Sequence, residues 1–185
     1  MTALVNKVSK MSKATEDANI LLEEVYHQYH KNVYNYIAFR INNHHDAEEL
    51  ANDVFVKAMQ NVARYKPALP MEGWLIGIAK NVVTDYLRKT QRRIFSPLDS
   101  ILGLVSSNKQ PEDIAVINES SYTLMLAMAK LRDNERQILS MKFATELKHS
   151  EIAAILKISE SHVGVTAHRA LTKLKKLMNM EGETI

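Results

Sequence analysis

Apolar residues recur every three or four positions along most of this chain, which is the spacing of one face of an α-helix. The clearest stretch contains Ala47, Leu50, Ala51, Val54, Phe55, Ala58, Met59 and Val62. Only five Gly and four Pro interrupt the 185 residues, so turns are scarce and helices joined by few loops are favoured over sheets. The sequence therefore predicts an all-α fold.

Breaks in the periodicity divide the chain into two small helical domains joined by a linker. The predicted division is a disordered N-terminal extension at 1–19, a first domain at 20–95, a linker at 96–110, a second domain at 111–178 and a tail at 179–185. In the first domain, Asp46 is expected to cap a helix running to Val62, and a loop over 64–73 precedes a helix that starts at Trp74. Helices are also predicted at 20–41, 114–130, 133–143, 150–156 and 160–178. Each half is expected to bury its apolar stripes within itself.

The spacing in the second domain predicts a helix-turn-helix, in which a seven-residue helix and a three-residue turn precede a long helix. Ile152, Ala153 and Leu156 would face inward, with Ile158 filling the turn. Lys157 occupies a turn position that often holds Gly. The outward side chains that can reach bases or phosphates in a major groove are Ser159, Ser161, His162, Val165, Thr166, His168, Arg169 and Lys173. From spacing alone, an ordinary helical hairpin with a polar surface stays equally open.

Charged residues are segregated, although the formal net charge is only +3. Residues 80–93 carry five cations and one anion, 169–176 carry four cations and no anion, and 46–53 carry four carboxylates and no cation. Trp74 and Asn81 accompany the first basic cluster. An aromatic can stack on an unpaired base, Asn can read a base edge and cations can hold phosphates, so this mix suits strand-separated DNA. A core role for Trp74 and a bridging role for Asn81 are the alternatives.

Four segments together carry a family pattern: DAEELANDVFVKA (46–58), WLIGIAKNVVTDYLRKTQRR (74–93), LRDNERQILSMKF (131–143) and HSEIAAILKISESHVGVTAHRALTKLKKL (149–177). The first two resemble region 2, and the last two region 4, of bacterial sigma factors of the extracytoplasmic-function (ECF) type in the sigma-70 family. The resemblance implies a transcription initiation factor, not an enzyme. Such a factor binds core RNA polymerase, through the beta-prime clamp helices and the beta subunit, and directs recognition of the minus-10 and minus-35 promoter elements.

The resemblance also assigns site residues, position by position. The polymerase-binding set is Asp46, Glu48, Glu49, Leu50, Asn52, Asp53 and Phe55. The minus-10 set is Tyr65, Lys66, Trp74, Lys80, Asn81, Arg88, Lys89, Arg92 and Arg93, and the minus-35 set is the outward set of the helix-turn-helix. The chain departs from the family pattern at Lys157, at Lys148, where a small hydroxylic cap is usual, and over 161–166, where two basic positions are missing.

Composition limits which compartment and which cofactors are compatible with the chain. The chain has no Cys, which excludes disulfides and thiolate metal sites. No apolar run approaches the roughly 20 residues of a membrane span. We therefore expect a cytoplasmic protein with no membrane insertion and no cofactor. The resemblance to the sigma-factor family implies an anti-sigma factor as a further partner.

Two other interpretations account for part of the sequence. A helix-turn-helix regulator that binds duplex operators without polymerase would explain the second half but not the first. A helical metalloenzyme would use two Glu-x-x-His motifs, at Glu24 and His27 and at Glu146 and His149, which is the spacing of ligands in di-iron bundles.

Overall fold

The computed structural model describes residues 23–41, 43–62, 65, 69–94 and 119–182, with side chains left out at 91–94, 119–122 and 180–182. No strand occurs in these residues, which confirms the all-α prediction. The predicted extension at 1–19, the linker at 96–110 and the start of the helix expected at 114 lie outside the described residues. The helices are α1 (23–41), α2 (His44–Asn61), α3 (Met71–Ile94), α4 (Glu119–Ala129), α5 (Asp133–Ala144), α6 (His149–Leu156) and α7 (Glu160–Gly182).

The first half is held together by α2, α3 and the part of α1 that follows Lys31. Its fully buried side chains include Tyr36, Ile37, Val54, Leu75, Ile76 and Val83. Glu72 is also buried, and its Oε1 accepts a hydrogen bond of 2.7 Å from Asn32 Nδ2. That bond compensates the buried carboxylate and ties the start of α3 to α1.

The helix boundaries differ from the sequence prediction at two places. Asn43, not Asp46, caps α2, because its side-chain oxygen accepts a hydrogen bond of 3.2 Å from the Asp46 amide. Helix α3 begins at Met71, inside the predicted loop, and the Trp74 amide already donates to the Pro70 carbonyl oxygen at 3.1 Å. A proline directly before a helix is tolerated because no helical bond requires its missing N–H.

The burial of the last apolar residues at the C-terminal end of α2 was also predicted wrongly. Met59 and Val62 were expected to face the core, but their side chains are 47% and 51% exposed. The buried stripe of this helix is Ala47, Ala51, Val54, Phe55 and Ala58.

The second half packs α4, α5 and α7 around a cluster formed by Ala127, Met128, Leu131, Leu139, Ala170 and Leu174. Helices α6 and α7 form the predicted helix-turn-helix, with Ile152, Ala153 and Val163 buried between them. The turn is made at Lys157, whose backbone is left-handed (φ 56°, ψ 44°). Ile158 is 36% exposed and does not fill the turn as expected.

The two halves also contact each other, contrary to the expectation that each packs only within itself. Phe39 of α1 packs against the apolar cluster of the second half. The almost fully buried Arg40 side chain donates from Nη1 to Asp133 Oδ1 at 2.8 Å and to the Asp133 carbonyl oxygen at 3.2 Å. Burial lowers the pKa of the neighbouring Arg136 guanidinium, and the Arg40 charge lowers it further.

Candidate nucleic-acid interface

One face of α3 points away from the core of the first half. Trp74, Asn81 and Arg88 follow each other at intervals of seven residues, or about two turns, so they lie in one row along the helix. Asn81 and Arg88 are exposed and Trp74 is half-buried, whereas Leu75 and Ala79, on the other side of the helix, are buried. The structure thus brings three of the predicted minus-10 residues onto one accessible surface, called here the open face of α3.

Trp74 lies beside a second aromatic residue at the start of this face. The ring centroids of Tyr65 and Trp74 are 5.3 Å apart with an interplanar angle of 54°. The Tyr65 hydroxyl donates to the Leu69 carbonyl oxygen at 3.0 Å, which holds the ring near the beginning of α3. Lys66 lies outside the described residues, as do the side chains of Arg92 and Arg93.

The cations of α3 are accessible to an anionic ligand. Lys89 is exposed and Lys80 is half-buried. Arg88 Nη1 contacts Asp85 Oδ1 at 3.2 Å, and both side chains are more than half exposed. Because exposed ion pairs contribute little free energy, this contact does not prevent Arg88 from binding a phosphate.

Helix α2 presents the acidic residues. The exposed members of the predicted polymerase-binding set are Glu48, Glu49, Asn52 and Asp53. Asp46 is partly buried and accepts hydrogen bonds from the Tyr86 hydroxyl and from Asn43 Nδ2. Leu50 is half-buried. Phe55 is only 4% exposed, so its side chain belongs to the core and not to this surface.

Apolar side chains that sequence reasoning missed extend the acidic surface. Val56 and Met59 are 50% and 47% exposed, one and two turns beyond Asn52 on the same side of α2. The spacing of Met59 matched that of the core residues, so its exposure alone identifies it, whereas Val56 lies outside the predicted apolar stripe. A groove of about 270 Å³ between α2 and α3 is lined by Leu50 and Asp53 on one side and by Arg88 and Lys89 on the other. It brings predicted polymerase-binding and minus-10 residues together.

The second helix of the helix-turn-helix, α7, exposes most of the predicted minus-35 set. Ser159 Oγ accepts a hydrogen bond of 3.2 Å from the His162 amide and so caps the helix. The exposed residues of the set are Ser159, Ser161, His162, Val165, His168 and Arg169. Thr166 is half-buried at the edge of the surface.

Lys173 is held by a partner within the protein. Its Nζ lies 3.2 Å from Glu135 Oε2, and the same oxygen accepts a hydrogen bond of 2.9 Å from the Arg132 amide. That backbone bond, together with the Lys173 charge, lowers the pKa of Glu135. Lys176, seven residues after Arg169, is exposed on the same side; it belongs to the basic cluster 169–176 but was not predicted as part of the minus-35 set.

The residues of the metalloenzyme alternative do not form a ligand cluster. Within the part of the chain that the structure describes, the one group of three possible metal ligands is His45, Asp46 and Glu49 at the start of α2. Neither Glu-x-x-His motif belongs to it. Among the described helices, none is long and apolar enough to cross a membrane.

Fold and surfaces define a class of protein: a two-part helical DNA-binding protein with a helix-turn-helix in its second half. The family model for Sigma-70 region 2 matches residues 25–93, and that for Sigma-70, region 4 matches residues 127–176. The chain is similar to RNA polymerase sigma factor YlaC of Bacillus subtilis, with 32% identity over 163 residues that span 88% of this chain and 94% of that protein. It is also similar to ECF RNA polymerase sigma factor SigM of the same organism, with 29% identity over 85% of this chain and 95% of that protein.

A solved structure shares the fold: sigma factor RpoE of Bartonella quintana, in complex with the anti-sigma factor NepR. The two chains superpose with a TM-score of 0.69 at 18% identity, over 85% of this chain and 96% of that chain. The chain belongs to the sigma-70 family of RNA polymerase sigma factors, in its ECF group. It is a transcription initiation factor that binds RNA polymerase and recognises promoter DNA.

Proposed function

We propose that three surfaces divide the work of this sigma factor. The exposed acidic face of α2 binds core RNA polymerase, the open face of α3 holds the melted minus-10 strand, and the exposed side of α7 reads the minus-35 element in the major groove. The observation that carries the proposal is the row of Trp74, Asn81 and Arg88 on the open face of α3, because it combines an aromatic ring, an amide and a cation on one accessible surface.

The acidic face suits a protein partner and not DNA. Glu48, Glu49 and Asp53 are exposed on α2, so phosphates would be repelled there. The exposed apolar residues Val56 and Met59 continue this face, and apolar area next to charges is typical of protein interfaces. The beta-prime clamp helices are the partner that the family pattern implies.

Further parts of the proposal concern partners, compartment, chemistry and domain limits. RpoE was solved in complex with the anti-sigma factor NepR. A second solved structure of similar fold, CnrH, with a TM-score of 0.62 at 20% identity, is in complex with the cytosolic domain of CnrY. We propose that this chain is likewise held by an anti-sigma factor, that it acts in the cytoplasm, and that it catalyses no reaction and needs no cofactor. The domain limits of 20–95 and 111–178 are part of the same proposal.

Charge reversal tests the docking surface. Glu49→Lys combined with Asp53→Lys should lower the affinity for core polymerase at least tenfold and leave the circular dichroism spectrum unchanged, because both side chains are exposed. The matched control is Glu24→Lys with Glu146→Lys, which changes the net charge equally at exposed positions outside α2. Equal core affinity for the two double variants would contradict the assignment.

A further inference from the structure

Gly77 lies inside α3, where glycine is less favourable than alanine because it loses more backbone freedom on folding. No described glycine has a positive φ, so the backbone of Gly77 does not require this residue. A Cβ added to Gly73 would lie 3.5 Å from Leu147 Cδ2, whereas one added to Gly77 would meet no described atom within 4 Å. Within the described structure, neither conformation nor packing explains Gly77.

The position of Gly77 on the open face of α3 suggests a reason outside the fold. Gly77 follows Trp74 by three residues and precedes Asn81 by four, so it lies between them on the same side of the helix. Trp74 and Asn81 are about 10.5 Å apart along the helix axis. The missing side chain therefore leaves open space between an aromatic ring and an amide.

The charges around this space favour a nucleic acid over a protein as its occupant. Lys80 lies one turn from Gly77, and Arg88 and Lys89 lie further along the helix. Asp85 is the only exposed carboxylate in the described side chains of α3, and it contacts Arg88. Phosphates are thus attracted to this surface on the Asn81 side of the gap.

We propose that Gly77 leaves room for an unpaired DNA base, which packs on the Trp74 ring and presents its edge to Asn81. This inference rests on the proposed minus-10 role of α3 and adds a residue that the family pattern did not assign. Stacking on the Trp74 ring tolerates any base, so filling the gap weakens binding of the melted strand whatever its sequence. The contact between the base edge and Asn81 is the part that discriminates between bases. Duplex DNA, whose bases are stacked and paired, gains nothing from the gap.

Side chains of graded size at position 77 test the proposal. Gly77→Ala and Gly77→Gln introduce better helix formers, so both variants should melt at a higher temperature than the parent. Holoenzyme assembled with each variant is assayed by permanganate footprinting on a promoter fragment selected with the parent holoenzyme. We expect open complexes to fall several-fold with Ala and at least tenfold with Gln, while affinity for core polymerase stays unchanged. The matched control is Ala129→Gln, which places the same side chain at an exposed helical position of α4, outside the three proposed surfaces, and should open the promoter normally.

Two results would overturn the proposal. If Gly77→Gln opens the promoter as well as the parent while Asn81→Ala does not, the gap has no role but the minus-10 assignment stands. If Gly77→Gln loses affinity for core polymerase, the space admits a polymerase side chain instead of a base. If the parent chain itself opens no promoter with core polymerase, the proposed function fails first.

Discussion

Lys157→Gly should stabilise the helix-turn-helix, because Lys157 adopts a backbone conformation that suits glycine. Its φ of 56° and ψ of 44° place it in the left-handed region, where a side chain costs about 1–2 kcal/mol. Two hydrogen bonds hold the turn in this geometry. The Lys157 amide and the Ile158 amide both donate to the Ala153 carbonyl oxygen, the second at 3.1 Å. Glycine removes the steric cost but loses about 0.5–1 kcal/mol more backbone entropy on folding. The net gain is therefore about 0.5–1 kcal/mol.

Native-state hydrogen exchange of the α6 and α7 amides measures this gain where it arises. A gain of that size corresponds to about two- to fivefold slower exchange, since 1.4 kcal/mol is a factor of ten. Lys157→Ala is the matched control, because it removes the same charge but keeps a Cβ in the left-handed conformation. It should exchange at nearly the parent rate. Equal protection in the Gly and Ala variants would refute the assigned turn geometry.

Three further predictions concern separate contacts. Asp133→Ala leaves the buried Arg40 charge without its carboxylate and should destabilise the chain by about 1–3 kcal/mol in urea unfolding. The control Asp85→Ala removes a carboxylate from an exposed pair and should change the free energy of unfolding by less than about 0.5 kcal/mol. Equal losses in the two variants would contradict the difference in burial. The pKa of Glu135 is lowered from its usual value of 4.5, so the ionised carboxylate stabilises the fold at pH values above 4.5. This contribution is lost as the pH falls through the folded pKa. Glu135→Gln should therefore make the melting temperature less dependent on pH below 4.5, which thermal melts at several pH values measure. Arg169→Ala should reduce the salt dependence of DNA binding by about 0.9 in the log–log slope, and an unchanged slope would remove Arg169 from the phosphate contacts.

Local features of the fold could be predicted because short-range spacing determines them. The seven-residue steps from Trp74 to Asn81 and Arg88 depend only on helical geometry, so their common row on α3 could have been predicted from the spacing. The left-handed residue between α6 and α7 likewise falls at Lys157, the position where the pattern expects a turn.

Other features depend on contacts between residues far apart in the sequence. Asp46 and Asn43 are both good caps; the structure uses Asn43, while the Asp46 carboxylate accepts a hydrogen bond from the hydroxyl of Tyr86, forty residues away. The contact between Arg40 and Asp133 could not be predicted, because helical periodicity says nothing about which helices of the two halves meet. For the same reason the exposure of Met59 was missed, since its spacing matches that of buried neighbours.

Run-off transcription with purified core polymerase tests the central claim most directly. The template is a library of genomic fragments, and the assay compares core polymerase alone, core polymerase with the parent chain, and core polymerase with the Asn81→Ala variant. We expect specific transcripts with the parent chain, none with core polymerase alone, and a strong reduction with the variant, because Asn81 lies on the open face of α3. Transcripts that are identical with and without the parent chain would contradict the claim that this protein directs promoter recognition.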